Sequence, residues 1–444
     1  MTEPLPKSAV RGYALGSVAT GSFGTVPGLL LLPYLTDRLG VAAGVAGAIV
    51  FVPKAWDVVL NPIAGRVSDH SSSASGPRRP FLLWGGIALA ACFALLFAGP
   101  AAPRGLAATW VVLAFLACAT AYAFFQVPYV AMPAEMTRDY GERTRLMTWR
   151  VAVLALAILV SGASAPAIRD ALGADQGYRV MGLCVAAFIL VGVLGAWRGT
   201  ASAPVGRVRG SAGSLGAQLR IVARAKDFRL LLGTFVLQAL ATGAMLAGVD
   251  YVARHVLGRA SASTVLFVCF VGPALPVTPV WQRVGAAHGK RWGYAASSLL
   301  LGAGALALVG ARGLPGFAVY LAVAVVGVGY AGAQMFPLAM LPDVAAVDAA
   351  RTGQNRVGVF TGVWTAGETL GLALGPGLYG LVLALGGYVS STDSSAAQPD
   401  SAVTAITLGF SLVPAVLVAA SLVLLARYRL DADAVAEAVA LEEV

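Results

Sequence analysis

The stretch Lys54-Ala55-Trp56-Asp57-Val58-Val59-Leu60-Asn61-Pro62 sets a lysine and an aspartate inside a run that is otherwise apolar enough to cross a bilayer. A charge at that depth costs on the order of 3 kcal/mol on insertion scales, so its presence needs a reason. Lys54, Asp57 and Asn61 follow one another at spacings that put all of them on one face of a helix. Pro62 has no N–H to offer the carbonyl of Val58, which frees a backbone oxygen one turn below Asp57. A carboxylate, an amide and a loosened carbonyl on one face make a candidate site for a cation or a proton. A structural Lys54–Asp57 pair that locks this helix to its neighbours is the other account of the same residues.

Composition agrees with a membrane setting. Of 444 residues, 58% are hydrophobic and 12% charged, against about 25% charged in soluble domains. The expectation is an all-α, polytopic membrane protein. Hydropathy places twelve spans near 12–35, 43–66, 81–100, 106–131, 148–168, 179–198, 229–253, 262–281, 293–311, 316–341, 357–386 and 403–426. With the N-terminus inside, roughly 22 of the 31 lysines and arginines fall in cytoplasmic segments. They include the basic loop Gly76-Pro77-Arg78-Arg79-Pro80. The net charge of +10 is therefore read as topology, with no nucleic acid implied. Both termini are expected in the cytoplasm and the protein in the plasma or inner membrane, working in the lipid bilayer as a monomer. The four cysteines, Cys92, Cys118, Cys184 and Cys269, lie singly in apolar stretches at no disulfide or metal spacing. The polar start with Lys7 and Arg11 runs straight into the first span, so no cleaved leader is expected. Nothing cradles a phosphate or pairs a nucleophile with a base, so neither an enzyme nor a cofactor is expected.

The longest internal polar segment divides the chain. Residues 1–198 form a first six-span bundle, 199–228 a linker, 229–430 a second bundle and 431–444 an acidic tail. The linker starts flexible and ends in a short basic amphipathic helix through Leu219-Arg220-Ile221-Val222-Ala223-Arg224-Ala225-Lys226. The bundles also repeat one another. Gln126-Val-Pro-Tyr-Val-Ala-Met-Pro-Ala-Glu135 matches Gln334-Met-Phe-Pro-Leu-Ala-Met-Leu-Pro-Asp343 with two one-residue slips, and Arg143-Thr144 then matches Arg351-Thr352. Two six-span repeats imply a solute cavity between pseudo-symmetric bundles, with alternating access by rocking.

Several blocks carry a family resemblance. Gly65-Arg-Val-Ser-Asp69-His with Gly76-Pro-Arg-Arg-Pro80 resembles the loop signature of the major facilitator superfamily. Tyr34-Leu-Thr-Asp37-Arg-Leu-Gly40, Lys54 through Pro62, Pro128 through Leu146 and Leu341-Pro342-Asp343 through Gly353 resemble the glycoside–pentoside–hexuronide:cation symporters, the family of melibiose permease. The resemblance implies the major facilitator fold of twelve helices, and uptake of a small sugar-like solute coupled to H+ or Na+. It implies coupling residues at Asp57, Asn61 and Lys54, and a sugar-binding arginine at Arg150. It also aligns the sugar-binding acids with Gly21 and Gln126, and a lysine of the eleventh span with Thr369. Glu368 stands beside Thr369 and joins the coupling candidates as a proton carrier or substrate partner.

These departures matter chemically. One carboxylate holds Na+ less well than two, and loss of acids that accept from hydroxyls weakens the case for sugar. Gln126 still donates and accepts. Export or flipping of an amphipathic compound stays open as the alternative, as does a transporter-shaped sensor without flux. Trp364 and Tyr122 are candidate cavity aromatics, with helix packing as the plainer role. Arg150 binds substrate or pairs with a loop carboxylate such as Glu142. Asp250 is placed at the outer end of the seventh span as an interfacial residue or gate partner. Asp69, Arg78, Arg79, Asp343, Arg351 and Arg356 are assigned to cytoplasmic loops and, with Glu142 and Arg143, to gate ion pairs.

Overall fold

The computed structural model describes residues 5–71, 73, 76, 78–137, 140–203, 225–352, 357–392 and 397–430. In hydrocarbon every backbone N–H and C=O must find its partner within the chain, and a helix achieves this within one segment. Every described element is helical. The first span is built from α1 (Lys7–Leu15) and α2 (Ser17–Pro33), closed by a π-helical turn at Tyr34–Arg38. It is followed by α3 (Ala43–Asp69), α4 (Arg79–Leu96), α5 (Arg104–Met136), α6 (Tyr140–Ala171) and α7 (Gly173–Gly199). The second half begins with α8 (Lys226–Tyr251) and a π-helical turn at Val252–Val256, then α9 (Ala262–Val271), α10 (Ala274–His288), α11 (Lys290–Ala307) and α12 (Gly316–Thr352). It ends with α13 (Val357–Leu385), α14 (Asp400–Phe410) and α15 (Leu412–Ala426).

Among the described residues, 11 helical stretches are long and apolar enough to cross a membrane. The remaining expected span is α3, whose 27 residues extend about 40 Å at ~1.5 Å per residue. The helices overrun the hydropathy spans. Glu142 and Arg143 lie in the first turns of α6, and Asp343 and Arg351 lie within α12, where sequence had placed Asp343 and Arg351 in loops. Hydropathy marks where lipid ends, whereas the backbone ladder continues into water as long as nothing interrupts it. Asp69 and Arg79 are likewise the terminal residues of α3 and α4. Arg356, most of the linker and the acidic tail lie outside the described residues.

The chain forms two compact units, residues 1–211 with 390–396 and residues 212–389 with 397–444. Within the first, α1 packs on α7, α2 on α6, α3 on α5, and α4 on α5 and α7. Within the second, α8 packs on α13 and α15, α9 and α10 on α12, and α11 on α12 and α15. Helix for helix, these are the same pairings. Local detail repeats as well. The two π-helical turns are followed by Leu39-Gly40 and Leu257-Gly258, and both glycines have positive φ, 64° and 66°. Pro128 and Pro133 in α5 correspond to Pro337 and Pro342 in α12.

Close helix contacts run through glycine. Gly243 of α8 meets Gly375 of α13 so closely that a Cβ on Gly375 would overlap the Gly243 backbone. Gly362, also on α13, faces open space. Gly375→Val is expected to cost about 1–3 kcal/mol and to lower both folded yield and melting temperature in detergent. Gly362→Ala is expected to leave both unchanged or slightly raised. Equal melting temperatures for the two variants would contradict this contact.

Candidate functional site

In α3, Trp56, Leu60 and Ala64 form the stripe turned to α5. Leu60 and Ala64 cluster with Ala123, Phe124 and Val127, and the Trp56 indole N–H donates to Thr120 Oγ1 at 3.3 Å. Asp57 and Asn61 each follow one residue later, about 100° around the helix. They therefore share the neighbouring face. Asp57 is 2% exposed and Asn61 is half-buried. The side chain of Lys54 lies outside the described set.

The polar row that the first unit builds lies along the first span and α5. Tyr13, Ser17 and Thr20 recur at helical spacing on one side, and Tyr122, Gln126 and Tyr129 do so on the other. The Tyr129 hydroxyl donates to the carbonyl of Tyr13 at 2.8 Å and shares a hydrogen bond with Ser17 Oγ at 2.9 Å. Gly16 makes room for that ring, since a Cβ there would strike it. Thr20 Oγ1 donates to Gln126 Oε1 at 2.7 Å, which leaves the Gln126 amide N–H groups uncommitted among the described residues. Tyr122 packs on Phe23 with ring centroids 4.6 Å apart. From α6, the Arg150 guanidinium sits 5.4 Å from the centre of the Tyr129 ring, a cation–π distance. Arg150 Nε and Tyr13 Oη are both buried without a hydrogen-bond partner.

Arg150 makes no ion pair among the described residues. Glu142, the partner sequence had offered it, instead takes Arg145 at 3.0 Å and the Leu5 N–H at 3.2 Å. The pairing fails because Arg145 lies one turn from Glu142, whereas Arg150 lies two turns away. Gly21 is a packing position, where a Cβ would press on Ala157 and the backbone of Leu154 and Ile158 in α6. In the second unit, Trp364 is 2% exposed and stacks on Phe235 at 4.5 Å, so its ring belongs to the α8–α13 packing. Its indole N–H is buried without a partner. Glu368 and Thr369 are half-buried on α13.

The assigned gate residues resolve into braces within each unit. Arg78 donates to Glu135 at 2.8 Å and to Ser68 Oγ at 2.6 Å, joining the ends of α3, α4 and α5. Arg79 donates to the Trp197 carbonyl at 2.9 Å. In the second unit Lys290, at the start of α11, pairs with Asp343 at 2.6 Å and donates to the Ala339 carbonyl at 3.0 Å. Burial first, then Asp343 and Asp227, push the nearby Tyr428 hydroxyl above its ordinary range. Arg351 is exposed, and the side chains of Asp69 and Arg143 lie outside the described set. Asp250 is buried, paired with Arg254 at 2.9 Å, and accepts from Ser263 at 2.6 Å.

Sequence reasoning missed Tyr13, Ser17 and Thr20, and it missed Glu135 and Lys290 as the partners that complete the two braces. The signal for Glu135 was its match to Asp343 in the repeat. The signal for the first-span hydroxyls was their helical spacing.

The fold and this partly buried polar row define a multi-pass membrane transporter. The chain matches the family model described as MFS/sugar transport protein over residues 12–432, and it belongs to that family. It is 28% identical to Escherichia coli (strain K12) YagG, which carries the name of a putative glycoside/cation symporter, over 99% of this chain and 95% of the other. It is 25% identical to the glucuronide carrier protein homolog of the same organism, over 93% and 90%. It is 24% identical to the isoprimeverose transporter of Lactiplantibacillus pentosus, over 96% and 89%. Among solved structures, a bacterial homolog of the human lysosomal transporter Spinster shares the fold with a TM-score of 0.70 at 11% identity, over 98% of this chain and 97% of that one. The nucleoside transporter NupG does so with a TM-score of 0.63 at 14% identity, over 95% and 98%.

The two braces differ in depth. Arg78 and Glu135 have side chains 9% and 7% exposed, whereas Lys290 is 46% exposed. Arg78→Met strands a buried carboxylate and is expected to cost about 3–5 kcal/mol. Lys290→Met is expected to cost less than about 1 kcal/mol. Melting temperatures in detergent check the contrast, and a larger drop for Lys290→Met would refute it.

Proposed function

We propose that this chain is a cation-coupled symporter that carries a neutral glycoside-like solute across the inner membrane by alternating access. Its expected coupling ion is H+ or Na+. It acts as a monomer with both termini in the cytoplasm and needs no enzymatic step or cofactor. The observation that carries the proposal is the row of uncommitted donors in the first unit. The Gln126 amide N–H groups, with their carbonyl held from behind by Thr20, and the Arg150 Nε–H, buried without a partner beside Tyr129, are donors left to meet hydroxyls. An acid is not required for this. An amide both donates and accepts, and a neutral solute asks for hydrogen bonds rather than for charge. Loss of the acids at Gly21 and Gln126 is thus compatible with a sugar, and it argues against a cationic solute. The relatives named as glycoside, glucuronide and isoprimeverose carriers support the same solute class. Export of an amphipathic compound is not favoured, because symport is the activity that the first of those names describes.

Asp57, which the resemblance aligns with the family's coupling position, is 2% exposed, and that burial supports a coupling role. The pairs Arg78–Glu135 and Lys290–Asp343 hold the helix ends of each unit, which supports the expected part of Arg78 and Asp343 in gating.

The test is uptake of labelled isoprimeverose and of a glucuronide into vesicles with imposed H+ or Na+ gradients. Accumulation of at least one solute is expected. Gln126→Ala is expected to lower its uptake about tenfold, equivalent to ~1.4 kcal/mol, with folding intact. If neither solute accumulates and an amphipathic compound is extruded instead, export replaces this proposal.

A further inference from the structure

Glu368 lies near the middle of a span, from Val359 to Leu385. Its position on α13 is fixed by the stripe that faces α8. Trp364 of that stripe stacks on Phe235. A Cβ on Gly367 would come within 2.8 Å of Leu232 Cδ1, and one on Gly371 within 2.8 Å of Ala239 Cβ. Glu368 follows Gly367 by one residue and so points about 100° away from the stripe. There α12 supplies Tyr330 and Gln334. The Gln334 amide donates to the Tyr330 hydroxyl oxygen at 3.0 Å, and the Tyr330 hydroxyl lies within electrostatic reach of Glu368. An oxygen that accepts from an amide has its own hydrogen left to donate elsewhere.

Among the described residues Glu368 makes no ion pair and no hydrogen bond, and no group of acids, histidines or cysteines surrounds it. The charge of a lone carboxylate in a span can be removed by a metal ion or by a proton. A sodium ion needs several oxygen ligands together. Among the described residues no group of three or more acids, histidines or cysteines that could hold a metal ion includes Glu368. A proton needs only the carboxylate itself.

We infer that Glu368 binds and releases a proton in the transport cycle, which makes H+ a coupling ion through the second repeat, whichever ion Asp57 holds in the first. The inference rests on the symport proposal for its cycle. In each turn one O–H bond forms at the carboxylate with a proton from water on one side, and breaks to water on the other. Tyr330 acts as a positioning residue, its hydroxyl hydrogen available to the deprotonated form.

The test is infrared difference spectroscopy on the purified full-length protein in lipid, titrated from about pH 5 to about pH 9 in choline chloride and again in sodium chloride. It needs no solute, so its outcome is separable from that of the uptake assay. A protonated-carboxyl carbonyl band is expected that titrates alike in both salts and is absent from E368Q. Y330F is expected to move its midpoint by about one pH unit, or ~1.4 kcal/mol, and replaces E368Q if that variant fails to fold. In vesicles, accumulation of isoprimeverose driven by a proton gradient is expected to fall at least tenfold in E368Q, about 1.4 kcal/mol or more. The inference is overturned if the titrating bands of E368Q and the wild type coincide. It is also overturned if sodium displaces the Glu368 midpoint, or if Y330F leaves that midpoint in place.

Discussion

Lipid tails are as apolar as leucine, so helices in a bilayer gain little from hiding side chains and must join by fit. In this chain the fit is made by glycine. Gly12 against Gly199 and Gly243 against Gly375 bring backbones into direct contact, and Gly21 lets the first span lie on α6. These contacts fix how each helix is rotated. The rotation of the first span turns Tyr13, Ser17 and Thr20 toward α5. The rotation of α13 turns Trp364 into packing and Glu368 out of it. The functional groups are therefore aimed by residues that have no functional group of their own.

The two halves share a frame and differ in what they hang on it. Equivalent helices pair, equivalent spans end in π-helical turns before a left-handed glycine, and equivalent glutamines sit on α5 and α12. Gln126 is tied to a hydroxyl of another helix, whereas Gln334 is tied to Tyr330 of its own. The first unit thus holds its glutamine across a helix seam and leaves the amide donors open. The second unit spends an amide donor on orienting a phenol near a carboxyl.

Much of this was legible in the sequence, because twelve apolar runs and a ten-residue repeat are long-range patterns that single contacts do not disturb. The family membership followed from blocks spread over nearly the whole chain. The site was less legible. Small hydroxyl residues such as Ser17 and Thr20 barely alter hydropathy, so nothing flagged them except their spacing. Whether Trp364 and Gly21 line a cavity or a seam depends on helix rotation, which tertiary packing sets and local sequence does not. Arg150 was offered Glu142 as a partner because both are near one membrane edge, yet the nearer Arg145 takes it. Asp343 and Arg351 were assigned to loops because polarity was taken for the end of a helix.

The unequal depth of the two braces has a physiological side. Ion pairs in contact with water weaken as salt rises and the Debye length shrinks, while buried pairs are largely spared. On a cytoplasmic face, as proposed, a cell that loses water under osmotic stress concentrates its salts against both braces at once. Lys290–Asp343 feels that change more than Arg78–Glu135 does. The brace of the second unit is thereby the one more open to the cell's water balance.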